Sequence, residues 1–205
     1  MKIELRSLFP TPLIKFKFTK HHLYHFEEVP KSVNKPTGWV KPLNTSFGLN
    51  DGDDFLSLEK KEKLTKHIKN DIDEVFTQLE IPTEYIIQQL WYNIYHDNQG
   101  QEIHDHISGP EAKNPYWCGI YYNKGDTPTS FVRPYTIHRI SRHPEYTVNS
   151  KCPMFKFYND IEYPVVEPGD IIMFPAWLEH YVDVGDECKD NMRLTFSFNL
   201  EYTVD

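Results

Sequence analysis

The chain has 205 residues, with 22 Lys and Arg against 30 Asp and Glu (net charge −8), and is 39% hydrophobic and 15% aromatic. This is the length of one domain able to bury its own core and the composition of a globule rather than a disordered tail, while the acidic balance argues against general binding to phosphate backbones. No apolar run approaches the roughly eighteen residues of a membrane span, the N-terminal MKIELRSLFPTPLIKFKF lacks a signal peptide's continuous apolar stretch, and Cys118, Cys152 and Cys188, odd in number with no CxxC among them, read as reduced thiols of a cytoplasmic protein.

After Pro10 and Pro12 the chain alternates. Leu13, Ile14, Phe16 and Phe18 stand against Lys15 and Lys17, which predicts an early strand. Residues 26–54 are punctuated by Pro, Gly, Asn and Asp and read as irregular, with short strands at most. Leu64, Ile68, Ile72, Val75, Phe76 and Leu79 then recur at three- and four-residue steps, predicting a helix from about Ser57 to Glu80 that stops before Pro82.

Beyond Pro82 the segments YIIQQLWYNIYH, WCGIYYN, SFVRPY, MFKFYND, DIIMFPA and HYVDV are rich in aromatic and β-branched residues and read as strands. The last run is the most regular: Leu194, Phe196, Phe198 and Leu200 alternate with Arg193, Thr195, Ser197 and Asn199, giving one apolar and one polar face. Seven or eight short strands and one helix predict a mainly β or α+β domain, a sandwich, barrel or jelly roll with the helix on an outer face. The chain reads as a single domain over 1–205: an N-terminal strand, irregular segment and supporting helix to about residue 82, then the β core over 83–205.

Of the ten histidines, His21, His22, His25, His67, His96, His138 and His143 lie in charged or turn-like surroundings and read as solvated or locally hydrogen-bonded. The other three form a pattern. His104 and His106, two apart in GQEIHDHISG, project to one face of extended backbone, with Asp105 on the other. The apolar run after Gly169-Asp170 and the Pro175-Ala176-Trp177 corner deliver His180 to the start of a strand. An HxH by itself also fits a pair of exposed histidines; with a third ligand from a distant strand it makes an open three-point site of the kind that holds non-haem iron. Arg193 opens the polar face of the last strand, with Thr195 and Ser197 following it. Taken alone, Arg193 also fits a surface Arg paired with Glu or Asp; inside a polar-lined barrel it needs an anionic partner, and a carboxylate fits its guanidinium bidentately, with a threonine hydroxyl as a further donor.

The pattern HxH … H … R, with the Arg on the last strand, resembles the 2-oxoglutarate- and Fe(II)-dependent dioxygenases, and within them the prolyl-hydroxylase-like branch. The run Ile120-Tyr121-Tyr122-Asn123 resembles that branch's strand whose second tyrosine holds the 2-oxoglutarate tail, a role falling on Tyr122. Tyr95, a few residues ahead of a glycine and the HxH, stands where the branch has a tyrosine near the co-substrate. Leu8-Phe9-Pro10-Thr11-Pro12 and Trp91-Tyr92-Asn93 resemble a group of small bacterial and phage oxygenases of the same superfamily. The resemblance spans about Glu84 to Tyr202 and implies a double-stranded β-helix. It implies Fe(II) on His104, His106 and His180. It also implies 2-oxoglutarate as co-substrate on Arg193, Thr195, Tyr122 and Tyr95, and dioxygen as oxidant. The implied reaction is oxidative decarboxylation of 2-oxoglutarate to succinate and carbon dioxide with hydroxylation of a small molecule or peptide. In a phage-encoded chain, the location would be the host cytoplasm.

The usual pattern is HxD or HxE, and His106 departs from it. Three imidazoles leave the site without an anionic ligand; Asp105 takes that part only if the backbone leaves extended geometry. An all-histidine set also suits zinc or the three-histidine dioxygenases that do not use 2-oxoglutarate, and a non-catalytic binding or assembly module on the same β-helix is a third reading. Asp170 or Glu179 is expected to orient the imidazoles. Trp91, Trp117 and Trp177 read as core aromatics, Asn199 as a cavity-lining or backbone-satisfying residue, and the basic run Arg133 to Arg142 as a solvated loop or a lid.

Overall fold

The computed structural model describes residues 11–26, 43–48, 56–96, 99–107, 115–134, 161–183 and 192–202. Ten strands and one α-helix occupy them. The strands are β1 (Ile14–Lys17), β2 (Asn44–Thr45), β3 (Tyr85–Tyr95), β4 (Gly100–His104), β5 (Trp117–Lys124), β6 (Ser130–Val132), β7 (Ile161–Glu162), β8 (Asp170–Pro175), β9 (His180–Asp183) and β10 (Arg193–Tyr202); α1 is Leu58–Gln78. A 3-10 turn, His21–Leu23, follows β1.

The strands form two antiparallel sheets, a larger one in the order β1-β8-β5-β10-β3-β2 and a smaller one in the order β4-β9-β6-β7. From β3 onward the chain passes back and forth between the sheets, with β6 and β7 both in the smaller one, so that strands distant in sequence become neighbours, as β10 does between β3 and β5. This is the double-stranded β-helix. The N-terminal segment extends the larger sheet at both edges, through β1 on β8 and β2 on β3.

The alternation in β10 sorts two environments. Leu194, Phe196, Phe198 and Leu200 turn outward onto α1 and pack with Leu64, Ile68, Ile72 and Phe76. Arg193, Thr195 and Ser197 turn inward, between the sheets, and are buried as well. A second cluster fills one end of the space between the sheets with Cys118, Ile120, Tyr122, Phe131, Ile172 and Phe174. Close packing requires Gly119, because a Cβ there would meet Phe198 Cζ at 2.1 Å.

Ser57 caps α1, its hydroxyl accepting from the Lys60 N–H at 3.4 Å. At the other end Ile81 N–H bonds to Phe76 O at 2.8 Å and Glu80 N–H to Thr77 O at 3.3 Å. These bonds close the helix with Glu80 in the left-handed region, φ 57°, a place usually taken by glycine. Asp71, on the buried face, accepts from Thr19 N–H at 2.7 Å and Thr19 Oγ1 at 2.8 Å, tying the helix to the end of β1.

Trp91 is buried and Trp117 packs against the outer core. Trp177 departs from the expected core position: it is 43% exposed, because it falls in the turn between β8 and β9 rather than on a strand. The predicted strand MFKFYND, the run from residue 135 through Arg142, His138, His143, Cys152 and Cys188 lie outside the described residues. Cys118 is a free, buried thiol. Among the described residues no helix is long and apolar enough to cross a membrane.

Candidate metal centre and carboxylate site

β4 and β9 pair so that His104 and His180 are direct cross-strand partners. His106 follows β4 and is held by its backbone N–H to Ala176 O at 2.9 Å. One nitrogen from each of the three rings lies within 4.8 Å of the other two, and the ring centroids are 4.2 Å apart for His104–His180, 5.1 Å for His106–His180 and 5.5 Å for His104–His106. Asp105 turns away. Its Oδ1 accepts from Ile107 N–H at 3.0 Å, and it lines a separate outer groove of about 460 Å³ with Val132, Pro134, Trp177, Leu178 and Glu179.

Each imidazole has an acceptor on its far nitrogen. His104 Nδ1–H donates to Glu102 O at 2.8 Å and His180 Nδ1–H to Leu178 O at 2.9 Å. His106 Nδ1–H donates to Asn199 Oδ1 at 2.6 Å. Because carbonyl oxygens only accept, these bonds leave every Nε2 with its lone pair, the form a metal binds. The orienting groups are therefore two backbone carbonyls and Asn199, not Asp170 or Glu179. Asp170 pairs instead with Lys15 and Lys17 at 3.1 and 2.8 Å, and Glu179 lies on the outer groove. Burial keeps the cluster neutral. It pushes His106 down to about 4 and His180 well below the ordinary range, with the other imidazoles adding to both, and it lowers His104 as well.

A β-bulge shapes the next contact. Gln101 pairs with Val182 and His104 with His180, so β4 carries one extra residue between them. The bulge changes the parity, and Gln101 faces the same cavity as His104. Gln101 Nε2 lies 3.1 Å from His104 Nε2, while its Oε1 accepts from Tyr95 Oη at 2.8 Å. That second bond fixes the amide so that its N–H points at the imidazole lone pair. Strand alternation alone puts residues 101 and 104 on opposite faces, which is why Gln101 is not visible in the sequence pattern.

Arg193 faces the same cavity from the larger sheet, where it pairs with Tyr95, and is 1% exposed. Its Nε donates to Thr127 O at 3.0 Å and its Nη2 to Thr129 Oγ1 at 2.9 Å. The guanidinium lies 4.7 Å from the Tyr95 ring centroid and 5.2 Å from that of Tyr122. No carboxylate among the described residues pairs with it. Gly125, φ 79°, allows the β5–β6 turn to pass close behind, since a Cβ there would meet the Arg193 Cα at 3.1 Å.

Two hydroxyls accompany this charge. Thr195 Oγ1 is buried without a hydrogen-bond partner among the described residues, an uncommon and costly state. Thr129 Oγ1 accepts from Tyr122 Oη at 3.0 Å as well as from Arg193, and the Thr129 N–H donates to Tyr122 Oη at 3.1 Å. With both acceptor positions of Thr129 filled, its own proton is left for an acceptor in the cavity. No motif in KGDTPTSF marks Thr129 in advance. Tyr95 is fully enclosed, and burial, offset by Arg193, pushes its hydroxyl up to about 12.

The cavity lined by His104, His106, His180, Arg193, Thr195 and Thr129 thus has imidazole lone pairs at one end. A buried guanidinium and two hydroxyls with protons to donate stand at the other. The donor set fits a divalent transition metal, and the far end fits a carboxylate. The facing side chains leave a narrow cleft between the two ends.

Residues 89–199 match the model of the family described as "Putative 2OG-Fe(II) oxygenase". No curated protein matches the chain in sequence. Among solved structures the chain is similar to a prolyl-4-hydroxylase from Pseudomonas putida (9% identity, 85% of this chain and 79% of that one, TM-score 0.47). It is also similar to the viral collagen prolyl hydroxylase of Paramecium Bursaria Chlorella virus-1 (9% identity, 80% of each chain, TM-score 0.46). A third is an oxidoreductase of the 2OG-Fe(II) oxygenase family from Burkholderia pseudomallei (13% identity, 57% of this chain, TM-score 0.39), of whose length the match spans 44%. With the family match covering more than half of its residues, the chain belongs to the 2OG-Fe(II) oxygenase family.

Proposed function

We propose that the protein is an Fe(II)- and 2-oxoglutarate-dependent dioxygenase that hydroxylates a small-molecule or peptide substrate. The observation that carries this reading is Arg193, buried to 1% exposure without a carboxylate partner among the described residues and lining the same cavity as the three histidines. A charge so placed is costly unless a ligand brings the counter-charge.

On this reading His104, His106 and His180 hold the metal through Nε2. Arg193 receives the far carboxylate of 2-oxoglutarate, with hydrogen bonds from Thr195 and Thr129. Tyr95 and Tyr122 flank the guanidinium, and Tyr122 also sets Thr129. The bound iron supplies activation of dioxygen, coupled to decarboxylation of the 2-oxo acid. The chain's own part is to orient three neutral imidazoles, anchor one carboxylate and exclude water. Phe174, Ile120 and Trp91 supply the apolar lining, and Gln101 holds its amide beside His104.

The all-imidazole set also suits a metalloenzyme that makes no use of 2-oxoglutarate, but such an enzyme has no role for Arg193. The test is formation of succinate from 2-oxoglutarate with added Fe(II) and ascorbate, in wild type and Arg193→Met. The proposal expects turnover in the first and loss in the second. Metal binding without any 2-oxoglutarate binding favours the alternative.

A further inference from the structure

The three histidines do not obtain their orienting acceptors in the same way. For His104 and His180 the acceptor is the backbone carbonyl two residues earlier, Glu102 O and Leu178 O. Such an acceptor depends on local backbone shape, not on a side chain. His106 lies past the end of β4, and its Nδ1–H bonds to a side chain on the last strand, Asn199 Oδ1, at 2.6 Å. Asn199 faces Cys118 across the β10–β5 pair; the Cys118 thiol donates to the same oxygen at 3.2 Å, and its Sγ also lies 3.0 Å from His106 Nδ1, a weak acceptor beside the stronger amide oxygen. Two donors converging on Oδ1 fix which end of the amide faces His106.

We propose that Asn199 is the positioning residue that makes His106 a metal ligand, so that the third ligand of this chain is a matched His106–Asn199 pair. The inference rests on the reading that the three histidines hold a metal, and adds to it a residue that never touches the metal. Neutral imidazole has two tautomers, and only the one protonated on Nδ1 offers Nε2 to the cavity. The amide oxygen accepts and cannot donate, so it selects that tautomer and holds the ring plane. A carboxylate at position 106, the commoner pattern, has no ring proton to place and no need of this partner. The dependence on Asn199 is therefore tied to the histidine.

The experiment is titration of the metal-free full chain with Co(II), followed by visible absorption, for wild type, Asn199→Ala and Asn199→Asp. The two substitutions are repeated in a His106→Asp background. In the native background, Asn199→Ala is expected to weaken Co(II) binding by about ten- to a hundredfold, whereas Asn199→Asp, which keeps an acceptor, holds it within about threefold. In the His106→Asp background, Asn199→Ala is expected to change affinity by less than about threefold. An equal loss in both backgrounds, or no loss in the native one, overturns the proposal. If Asn199→Ala lowers the melting temperature of the metal-free chain, Asn199→Asp decides: retained affinity supports the proposal, and a loss like that of alanine overturns it. 2-Oxoglutarate does not enter this titration. A coupled pair in a chain that ignores 2-oxoglutarate would defeat the oxygenase proposal and leave this one standing. Wild type that binds no Co(II) would defeat both.

Discussion

His104 and His180 are paired residue for residue across β4 and β9, with their ring centroids 4.2 Å apart. Two of the three proposed ligands are thereby built into the register of the smaller sheet, and His106 follows directly after β4. Replacing His180 by Ala is expected to lower affinity for Co(II) or Fe(II) by at least about a hundredfold, since the inner ligand is lost outright. Metal content per chain after dialysis checks this, and a variant that retains a full equivalent would count against the assigned ligand set.

Thr195 gives a prediction with opposite signs. Its hydroxyl is buried without a partner among the described residues, so Thr195→Val removes an unsatisfied group. The metal-free chain should gain about 1 kcal/mol. The same change removes a donor to a charged ligand, and 2-oxoglutarate affinity should fall about tenfold. Denaturant melts of the metal-free protein and calorimetric titration of the metal-loaded protein read the two effects separately. A loss of stability would mean that the hydroxyl already has a partner.

Acid should destabilise the metal-free protein. Burial holds His104, His106 and His180 below their ordinary value, His106 at about 4. Unfolding returns them to about 6.5. Between those values the unfolded chain binds more protons than the folded one, so stability rises with pH through that window. The contribution is complete above about pH 6.5 and lost as pH falls toward the folded values. Melting temperatures of metal-free protein from pH 7 to pH 4 should fall, and the slope should flatten in His180→Gln.

Two backbone positions test the packing. Glu80 occupies the left-handed region at φ 57°, so Glu80→Gly should stabilise the protein by about 1 kcal/mol. Gly119→Ala drives a methyl into the Phe198 ring and should cost about 1–3 kcal/mol or more. Denaturant midpoints decide both.

Much of the fold could be read in the sequence because its signals are local. The three- and four-residue steps of Leu64, Ile68, Ile72 and Phe76 mark α1 to within two residues of its ends, and the two-residue alternation of Arg193 to Leu200 places polar and apolar faces of β10 as found. The HxH spacing and the turn before His180 likewise anticipate three converging imidazoles. What escaped depends on departures from regular geometry or on long-range pairing. The bulge in β4 turns Gln101 inward against its alternation. Thr129 enters only because the turn after β5 folds back on Arg193. Asn199 serves His106 across 93 residues of chain, where sequence alone points Asn199 to the cavity lining or a backbone partner and the imidazoles to Asp170 or Glu179. Trp177 is aromatic and follows an apolar run, yet sits on a turn, and only the strand end decides that.

The account's central claim is that one cavity joins a metal to a dicarboxylate, and calorimetric titration of 2-oxoglutarate into the protein tests it most directly. The protein is loaded with Mn(II) under anaerobic conditions, with metal-free wild type and metal-loaded Arg193→Met as controls. The account predicts saturable binding of one 2-oxoglutarate per metal-loaded wild-type chain and much weaker binding in both controls. Binding that is equally tight in Arg193→Met, or no binding to the metal-loaded wild type, would contradict it.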